Sequence, residues 1–247
     1  MKINRKRLMY MLKIGSFIVM LGALLALLLT SCNGYIQQSA EQFTPKEIEV
    51  EPFNKIELQG GFNVVITQGY ESSLSIQASE QNMKNIKTEV YNETLYIKLN
   101  VKSISLNEIK LNIGINELTA LKIEGGLNLN TNETLELNEL FLKVEGGANA
   151  SLNLIAHSIN TEAEGAVNLE FKGSTNDFTI KAEGACNINA GMLEAKNVSC
   201  RMAGAGNALV YPTETLFAKI EGIGKISYRG SPAITKEVDG IGLVYRK

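Results

Sequence analysis

Apolar and polar residues alternate along most of the C-terminal half of the chain, and one short glycine phrase recurs within the alternation. Counted from the residue that opens each phrase, usually Glu, positions −3 and −1 are mostly apolar, and positions +3 and +5 are small or apolar again. Examples are Leu121 and Ile123, Leu142 and Val144, Ile180 and Ala182, Leu127 and Leu129, Val167 and Leu169, and Cys186 and Ile188. A period of two is typical of β-strands. Each phrase therefore predicts a strand, a bend permitted by glycine, and a second strand.

The phrase recurs at nearly constant spacing. Five copies are Glu124–Asn128, Glu145–Asn149, Glu164–Asn168, Glu183–Asn187 and Ala203–Asn207, and degenerate copies open at Glu221 and Asp239. The steps between first positions are 21, 19, 19, 20, 18 and 18 residues. Units this short close no core alone, so we expect an all-β parallel solenoid with coils of about 18–21 residues. A β-sandwich is the competing architecture, but it predicts turn signals without one phrase in constant register.

The predicted domain, residues 51–247, is less regular at its start. Residues 118–247 carry the regular repeats, whereas residues 51–117 show strand-like alternation with little repetition. An early copy of the phrase, Gln59–Asn63, opens 65 residues before Glu124, which predicts about three further turns of the solenoid. Antiparallel pairing in this region is expected to cap the first coil.

The N-terminus has the pattern of a lipoprotein signal peptide, residues 1–31. Basic residues precede an almost wholly apolar stretch from Ile14 to Leu29, and small residues then precede Cys32. We expect lipidation at Cys32 and a polar tether over residues 32–50. An uncleaved anchor helix is the alternative, because the apolar run approaches the ~20 residues that span a bilayer.

Charge changes the expected partners. The whole chain has a formal charge of −2, and removing residues 1–31 takes away five positive side chains and no acids, which leaves −7. Such a domain has no basic surface for phosphates, so no nucleic-acid partner is expected. Three cysteines and one histidine are too few for a metal cluster, and we predict no metal, no cofactor and no catalytic residue. Cys186 and Cys200 are six positions out of register, so we expect two buried thiols.

Stacking in register predicts columns of like side chains on the surface. Position 0 gives an acidic column of Glu124, Glu145, Glu164 and Glu183, and position +4 gives an amide column of Asn128, Asn149, Asn168 and Asn187. Position −2 supplies a mainly basic column beside the acids, so the simplest interpretation is a solvated face of weak ion pairs. A cation site near Glu162 and Glu164, where the basic neighbour is missing, is the alternative. The amides are expected to form a structural hydrogen-bonded ladder, with glycan recognition as their alternative role.

One segment resembles a known family. The segment PFNKIELQGGFNVVITQG, which begins at Pro52, follows the lipoprotein leader and precedes the Glu-Gly-Gly and Glu-Gly-Ala phrases. Over about Val50 to Arg229 the chain resembles the family described as putative auto-transporter adhesin, head GIN domain. The resemblance implies a right-handed parallel β-helix in a secreted or lipid-anchored protein of the Gram-negative envelope. It implies no catalytic residues.

These observations together predict an adhesin-like envelope lipoprotein that is not an enzyme. We expect it to bind or scaffold through its extended β surface and to be anchored by lipid, with the outer membrane favoured because Asn33 follows the cysteine. The expected partners are the membrane and an envelope protein or a glycan. The alternative is a β-helix protein that binds or processes polysaccharide, although the chain has no Trp for stacking against sugars.

Overall fold

Strands make up 79% of the described chain, as the period-two pattern predicts. The structure is a computed structural model that describes residues 43–100 and 109–247. The predicted signal peptide and Cys32 lie outside these residues. The described strands are β1 (Lys46–Ile48), β2 (Lys55–Gln59), β3 (Phe62–Gln68), β4 (Ser73–Gln77), β5 (Ile86–Tyr91), β6 (Thr94–Leu99), β7 (Lys110–Ile115), β8 (Ala120–Thr131), β9 (Leu135–Tyr228), β10 (Ala233–Val238) and β11 (Ile241–Arg246), and the one helix among them is α1 (Glu80–Asn85).

The expected all-β class is confirmed, and the sheet is mixed. All 11 strands belong to one sheet, which curls into a half-barrel. The side chains at the predicted apolar positions line its interior: Leu121, Leu142 and Ile180 are fully buried, and so are Val167 and Ile188 to within about 1%. Burial of alternate residues along each strand thus supplies the continuous apolar core that the short repeats need.

The regular part of the sheet is parallel and in register. β8 pairs with β9 so that Lys122, Glu124 and Asn128 lie opposite Lys143, Glu145 and Asn149. β10 and β11 add to β9 in the same sense, with Val238 opposite Ile220 and Val244 opposite Ile226. β9 is 94 residues of extended chain that bends at each glycine and lies against itself, because Asn168 contacts Asn149 and Lys181 contacts Glu162, each 19 residues away.

The first glycine of each phrase makes the bend. Gly125, Gly146 and Gly165 have φ of 118°, 112° and 105°, which an L-residue with a side chain rarely adopts. A Cβ on Gly165 would lie 2.5 Å from the carbonyl oxygen of Gly146, and one on Gly146 would lie 2.7 Å from that of Gly125. The bend glycines therefore stack directly on one another and leave no room for a side chain.

The sequence separation predicts that the early phrase copy lies about three turns away from Glu124, but the structure places it directly beside β8. Asn63 of β3 pairs directly with Asn128 of β8, and Gln59 of β2 pairs with Glu124. The residues between them leave the stack and return on the far side, where β6 pairs with β2 and β7 pairs with β3, all in parallel. β2 and β3 are thus inserted between chain segments that follow them in sequence, which the repeat spacing does not show.

Antiparallel strands cover the N-terminal end of the sheet, as expected. β4 pairs with β7, β5 pairs with β6, and β1 pairs with β4, in each case antiparallel. Residues 32–50, predicted as a tether, therefore contain a strand near their C-terminal end. The described part of the chain contains no helix with the length and apolar character of a membrane span.

Alanine at Gly165 is expected to destabilise the fold by at least about 2 kcal/mol, because Ala is strained at positive φ and its Cβ would meet backbone that cannot move aside. Gly147→Ala is the matched control: Gly147 is the second glycine of its phrase, it lacks a positive φ, and no atom lies within 4 Å of the place that a Cβ would take. Denaturant unfolding of both variants gives the comparison. Equal stability of the two would contradict the stacked-bend account.

Candidate functional site

The candidate surface lies on both sides of the bend column. Each bend glycine follows position 0 and precedes position +4, so stacking brings the acids together on one side and the amides together on the other. On neighbouring strands, Glu124 lies directly opposite Glu145, and Asn128 lies directly opposite Asn149. The predicted columns therefore exist as geometry, and their chemistry depends on what each side chain contacts.

One acid of the acidic column, Glu145, is paired with the lysine of its own unit. Lys143 Nζ lies 2.6 Å from Glu145 Oε1, two positions along the same strand. The hydrogen bond and the charge of Glu145 raise the pKa of Lys143 above its ordinary value. The two side chains are 32% and 42% exposed, so solvent screens the pair and its contribution to stability is small.

Neighbouring units also share cations, and one such pair lies at the place of the alternative cation site. The unit of Glu162 has no lysine at position −2, and Lys181 of the next unit takes that role, with its Nζ 3.0 Å from Glu162 Oε1. The charges of Glu162 and Glu164 also help to raise the pKa of Lys143, the lysine of the preceding unit. Among the described residues no group of three His, Cys, Asp or Glu side chains could hold a metal ion.

The last units form a small charge network around one lysine. Lys219 Nζ lies 2.7 Å from Glu221 Oε1, 3.8 Å from Glu237 Oε2 and 4.0 Å from Asp239 Oδ2. The hydrogen bond from Lys219 to Glu221, followed by the charges of the other two acids, raises the pKa of Lys219. The degenerate copies of the phrase therefore keep the charge pairing of the regular ones.

The amide column is a hydrogen-bonded ladder over four units. Asn128 Nδ2 donates to Asn63 Oδ1 at 3.0 Å, Asn149 Nδ2 donates to Asn128 Oδ1 at 3.1 Å, and Asn168 Nδ2 donates to Asn149 Oδ1 at 3.0 Å. Within the described chain the ladder ends there, because no amide hydrogen bond joins Asn187 to Asn168. The ladder accounts for the expected structural role at Asn128, Asn149 and Asn168.

The same amides border a shallow open concavity of about 530 Å³. Its lining combines two neighbouring polar columns and includes Asn128, Asn130, Asn149, Ser151, Asn168, Glu170, Asn187 and Asn189. Asn128 and Asn149 each use one N–H and one oxygen lone pair along the column, so their remaining groups stay available to solvent or to a ligand. The concavity therefore offers regularly spaced donors and acceptors and no aromatic surface.

The cysteines are buried and unpaired with one another, as their register predicts. Cys186 and Cys200 are both free thiols in the core. Burial raises the pKa of Cys200 to about 12 and also raises that of Cys186. Neither thiol is a nucleophile at neutral pH, since the thiolate is the reactive form.

One polar surface was missed by the sequence reasoning. Asn197 Nδ2 donates to Asp177 Oδ1 at 3.0 Å, and Thr215 Oγ1 donates to Asn197 Oδ1 at 2.7 Å. Beside this line, the Arg201 guanidinium lies 4.8 Å from the ring centroid of Phe217. Positions −6 and −4 hold different residues in each unit, so no repeated letter marked them. The one available signal was the replacement of the acid by Ala203 in the same unit as Arg201.

Replacing Asn149 and Asn168 together by Ala is expected to lower stability by about 1–2 kcal/mol, because two amide hydrogen bonds of the ladder are lost. For a domain of this size, that corresponds to a fall in melting temperature of roughly 2–8 °C. Asn187→Ala is the control, as it sits at the same position beyond the end of the ladder. Unchanged melting of the double variant, with loss of a binding activity, would instead assign the amides to recognition.

Comparisons with known proteins agree with this geometry. A putative adhesin from Bacteroides fragilis is 23% identical, with 84% of this chain and 98% of that one covered and a TM-score of 0.80. A putative lipid binding protein from Parabacteroides distasonis is 20% identical over 84% and 98% of the two chains, with a TM-score of 0.68. A putative adhesin from Parabacteroides merdae is 21% identical over 84% and 97%, with a TM-score of 0.61.

These similarities establish the fold, and the sequence establishes the family. No curated protein matches the chain. The family model described as putative auto-transporter adhesin, head GIN domain, matches residues 52–232, which is most of the chain and includes the bend column and both surface columns. The chain belongs to the putative auto-transporter adhesin, head GIN domain family.

Proposed function

We propose that the protein is a non-enzymatic envelope lipoprotein of adhesin type that binds or scaffolds through its extended β surface. The observation that carries the proposal is the pair of ordered columns beside the bend. The amides are joined at 3.0–3.1 Å and Glu145 of the acidic column is paired with Lys143, so side chains of one type repeat at the spacing of the strands. A surface of this kind is rigid and periodic, which suits an extended partner better than a small substrate.

The proposed architecture is a right-handed parallel β-helix. The parallel register of β8, β9, β10 and β11 supports it, and so do contacts within β9 between residues 18 to 20 apart. The antiparallel strands belong to the cap at the N-terminal end. In this architecture the outer faces of successive coils form continuous strips, which is what an extended binding surface requires.

The proposed anchor is a lipid on Cys32 in the outer membrane. The basic and apolar leader and the small residues before Cys32 support lipidation, and Asn33 favours the outer membrane. A tether over the following residues separates the lipid from the folded domain. The family itself is described as adhesin-like, which agrees with a position in the envelope.

Metabolic labelling with palmitate tests the anchor. Full-length protein is expected to incorporate label and Cys32→Ser to incorporate none, because the thiol of Cys32 is the proposed attachment atom. Cys186→Ser is the control and is expected to label normally, since its thiol is in the core. Label retained in Cys32→Ser, or a mature mass that still includes residues 1–31, would contradict cleavage and lipidation at this cysteine.

Adhesion of cells that produce the full chain tests the binding role. Such cells are expected to be retained on immobilised mucin or on immobilised outer-membrane vesicles at least about twice as well as cells with an empty vector. Glu145→Gln combined with Glu164→Gln is expected to reduce retention, because it removes two adjacent charges of the acidic column. Glu133→Gln, an exposed acid outside the columns, is the control. No retention on either surface by the unmodified protein would overturn the proposal.

A protein that binds or processes polysaccharide is the second candidate function. The concavity lined by Asn128, Asn149 and Asn168 favours it, because amides are common partners of sugar hydroxyls. Processing also requires a convergent acid and base, and the described acids of the column are spread along it beside lysines. A glycan array together with a lyase assay with calcium separates the two candidates, since the array reports polysaccharide binding and only processing yields a product.

A further inference from the structure

The unit that opens at Ala203 departs from the pattern of its neighbours. Position 0 is acidic in the units before and after it, and here it is Ala203. The cation at position −2 is also different, because Arg201 stands in a column that otherwise holds Lys or Glu. Among the units with a cation at position −2, this is the one that has no acid at position 0.

The lysines at position −2 of the two neighbouring units each form an ion pair, whereas Arg201 forms none within the described residues. Lys181 is 3.0 Å from Glu162, and Lys219 is 2.7 Å from Glu221. Within the described residues no carboxylate lies within ion-pair distance of Arg201. The side chain is exposed, so its charge faces solvent.

Two contacts hold the guanidinium in place. It lies 4.8 Å from the ring centroid of Phe217, and its Nη1 donates to Ser199 Oγ at 3.1 Å. A guanidinium has five N–H donors in a fixed plane, so most of them remain free after this single hydrogen bond. Stacking and hydrogen bonding restrict the side chain before any ligand arrives, which lowers the entropic cost of binding a planar anion.

Phe217 and Ser199, which hold Arg201, also line an open groove of about 380 Å³. Its lining further includes Asp177, Thr179, Asn197 and Thr215. Asn197 is fixed between Asp177 at 3.0 Å and Thr215 at 2.7 Å, so the polar groups have a set orientation. Hydroxyls, an amide and the Asp177 carboxylate thus line the groove together with an aromatic ring, and the arginine contacts two of the lining residues, Ser199 and Phe217.

We propose that this groove binds an acidic oligosaccharide through a carboxylate held by Arg201. Arginine binds carboxylates in a bidentate manner, the Ser and Thr hydroxyls match sugar hydroxyls, and Phe217 offers an apolar ring. Asp177 lies four positions farther from the bend than Arg201, on the order of 13 Å along the strand direction, so it does not repel a carboxylate at Arg201. It accepts instead from the hydroxyls of a neutral sugar. This inference rests on the proposed binding role and gives it a ligand class.

Calorimetric titration of the full chain in detergent tests the proposal with three probes of similar size. These are trigalacturonate, which carries carboxylates, galactotriose, which is neutral, and a sulfated heparin-derived tetrasaccharide. Trigalacturonate is expected to bind at least tenfold more tightly than galactotriose, because a charge-assisted bidentate contact exceeds a neutral one. Tighter binding of the sulfated probe would overturn the choice of a carboxylate, and equal binding of the neutral probe would overturn the role of Arg201.

Three variants separate the site from the fold. Arg201→Gln is expected to weaken trigalacturonate at least tenfold. Ala203→Glu restores the acid of the repeat and is expected to pair with Arg201 as Glu145 pairs with Lys143, so it should abolish the preference for trigalacturonate without lowering the melting temperature. Lys122→Gln is the control, because Lys122 also occupies position −2 and no residue of its unit lines the groove.

The outcomes distinguish this proposal from the wider one. Loss of binding in Arg201→Gln and Ala203→Glu, with Lys122→Gln unchanged, supports the groove. No binding of trigalacturonate at millimolar concentration, or equal binding by all three variants, overturns it. If trigalacturonate does not bind while cells that produce the full chain are still retained on mucin or vesicles, the groove is wrong and the binding role of the acidic column stands.

Discussion

The close approach of successive bend glycines is the constraint on which the rest of the fold depends. Each first glycine of the phrases that open from Gln59 to Glu221 has a positive φ, and from Gly125 onward the carbonyl of the glycine below occupies the place of the missing Cβ. The contact repeats from Gly60 through Gly125, Gly146 and Gly165 and on to the last units. Because no side chain fits, a slip in register between one unit and the next would place Cβ atoms against backbone. The bends therefore set the register of every strand that leaves them.

Fixed register has direct consequences for both sides of the sheet. Inward positions align, so Leu121 lies beside Leu142 and the core is continuous along the stack. Outward positions align equally, which would place like charges together. Ion pairs with lysine reduce this repulsion. Glu145 pairs with Lys143 of the same unit, and Glu162 pairs with Lys181 of the next unit. Amides need no such compensation, because each one both donates and accepts along the column.

Departures from the repeat are the places where such a surface gains specificity. A periodic face offers every unit the same contacts, so it favours an extended partner without selecting a position on it. The unit with Arg201 and Ala203 is different, because it leaves one oriented cation without a carboxylate beside a polar groove. The N-terminal end is also different, since antiparallel strands cover it and prevent further stacking there.

Local rules of sequence were enough to predict the strands, the bends, the inward positions and the columns, whereas the chain path was not predictable in this way. A period of two defines the two faces of a strand, and a glycine is needed wherever φ is positive, so the all-β class, the buried cysteines and the opposition of Asn128 to Asn149 followed from spacing. The insertion of β2 between β6 and β8, and of β3 between β7 and β8, did not, because spacing along the sequence pointed to three turns that do not exist. The partner of Glu162 is a lysine 19 residues away, selected by side-chain reach between neighbouring units. Repetition records which positions are equivalent, whereas contacts between unlike residues depend on distances in space.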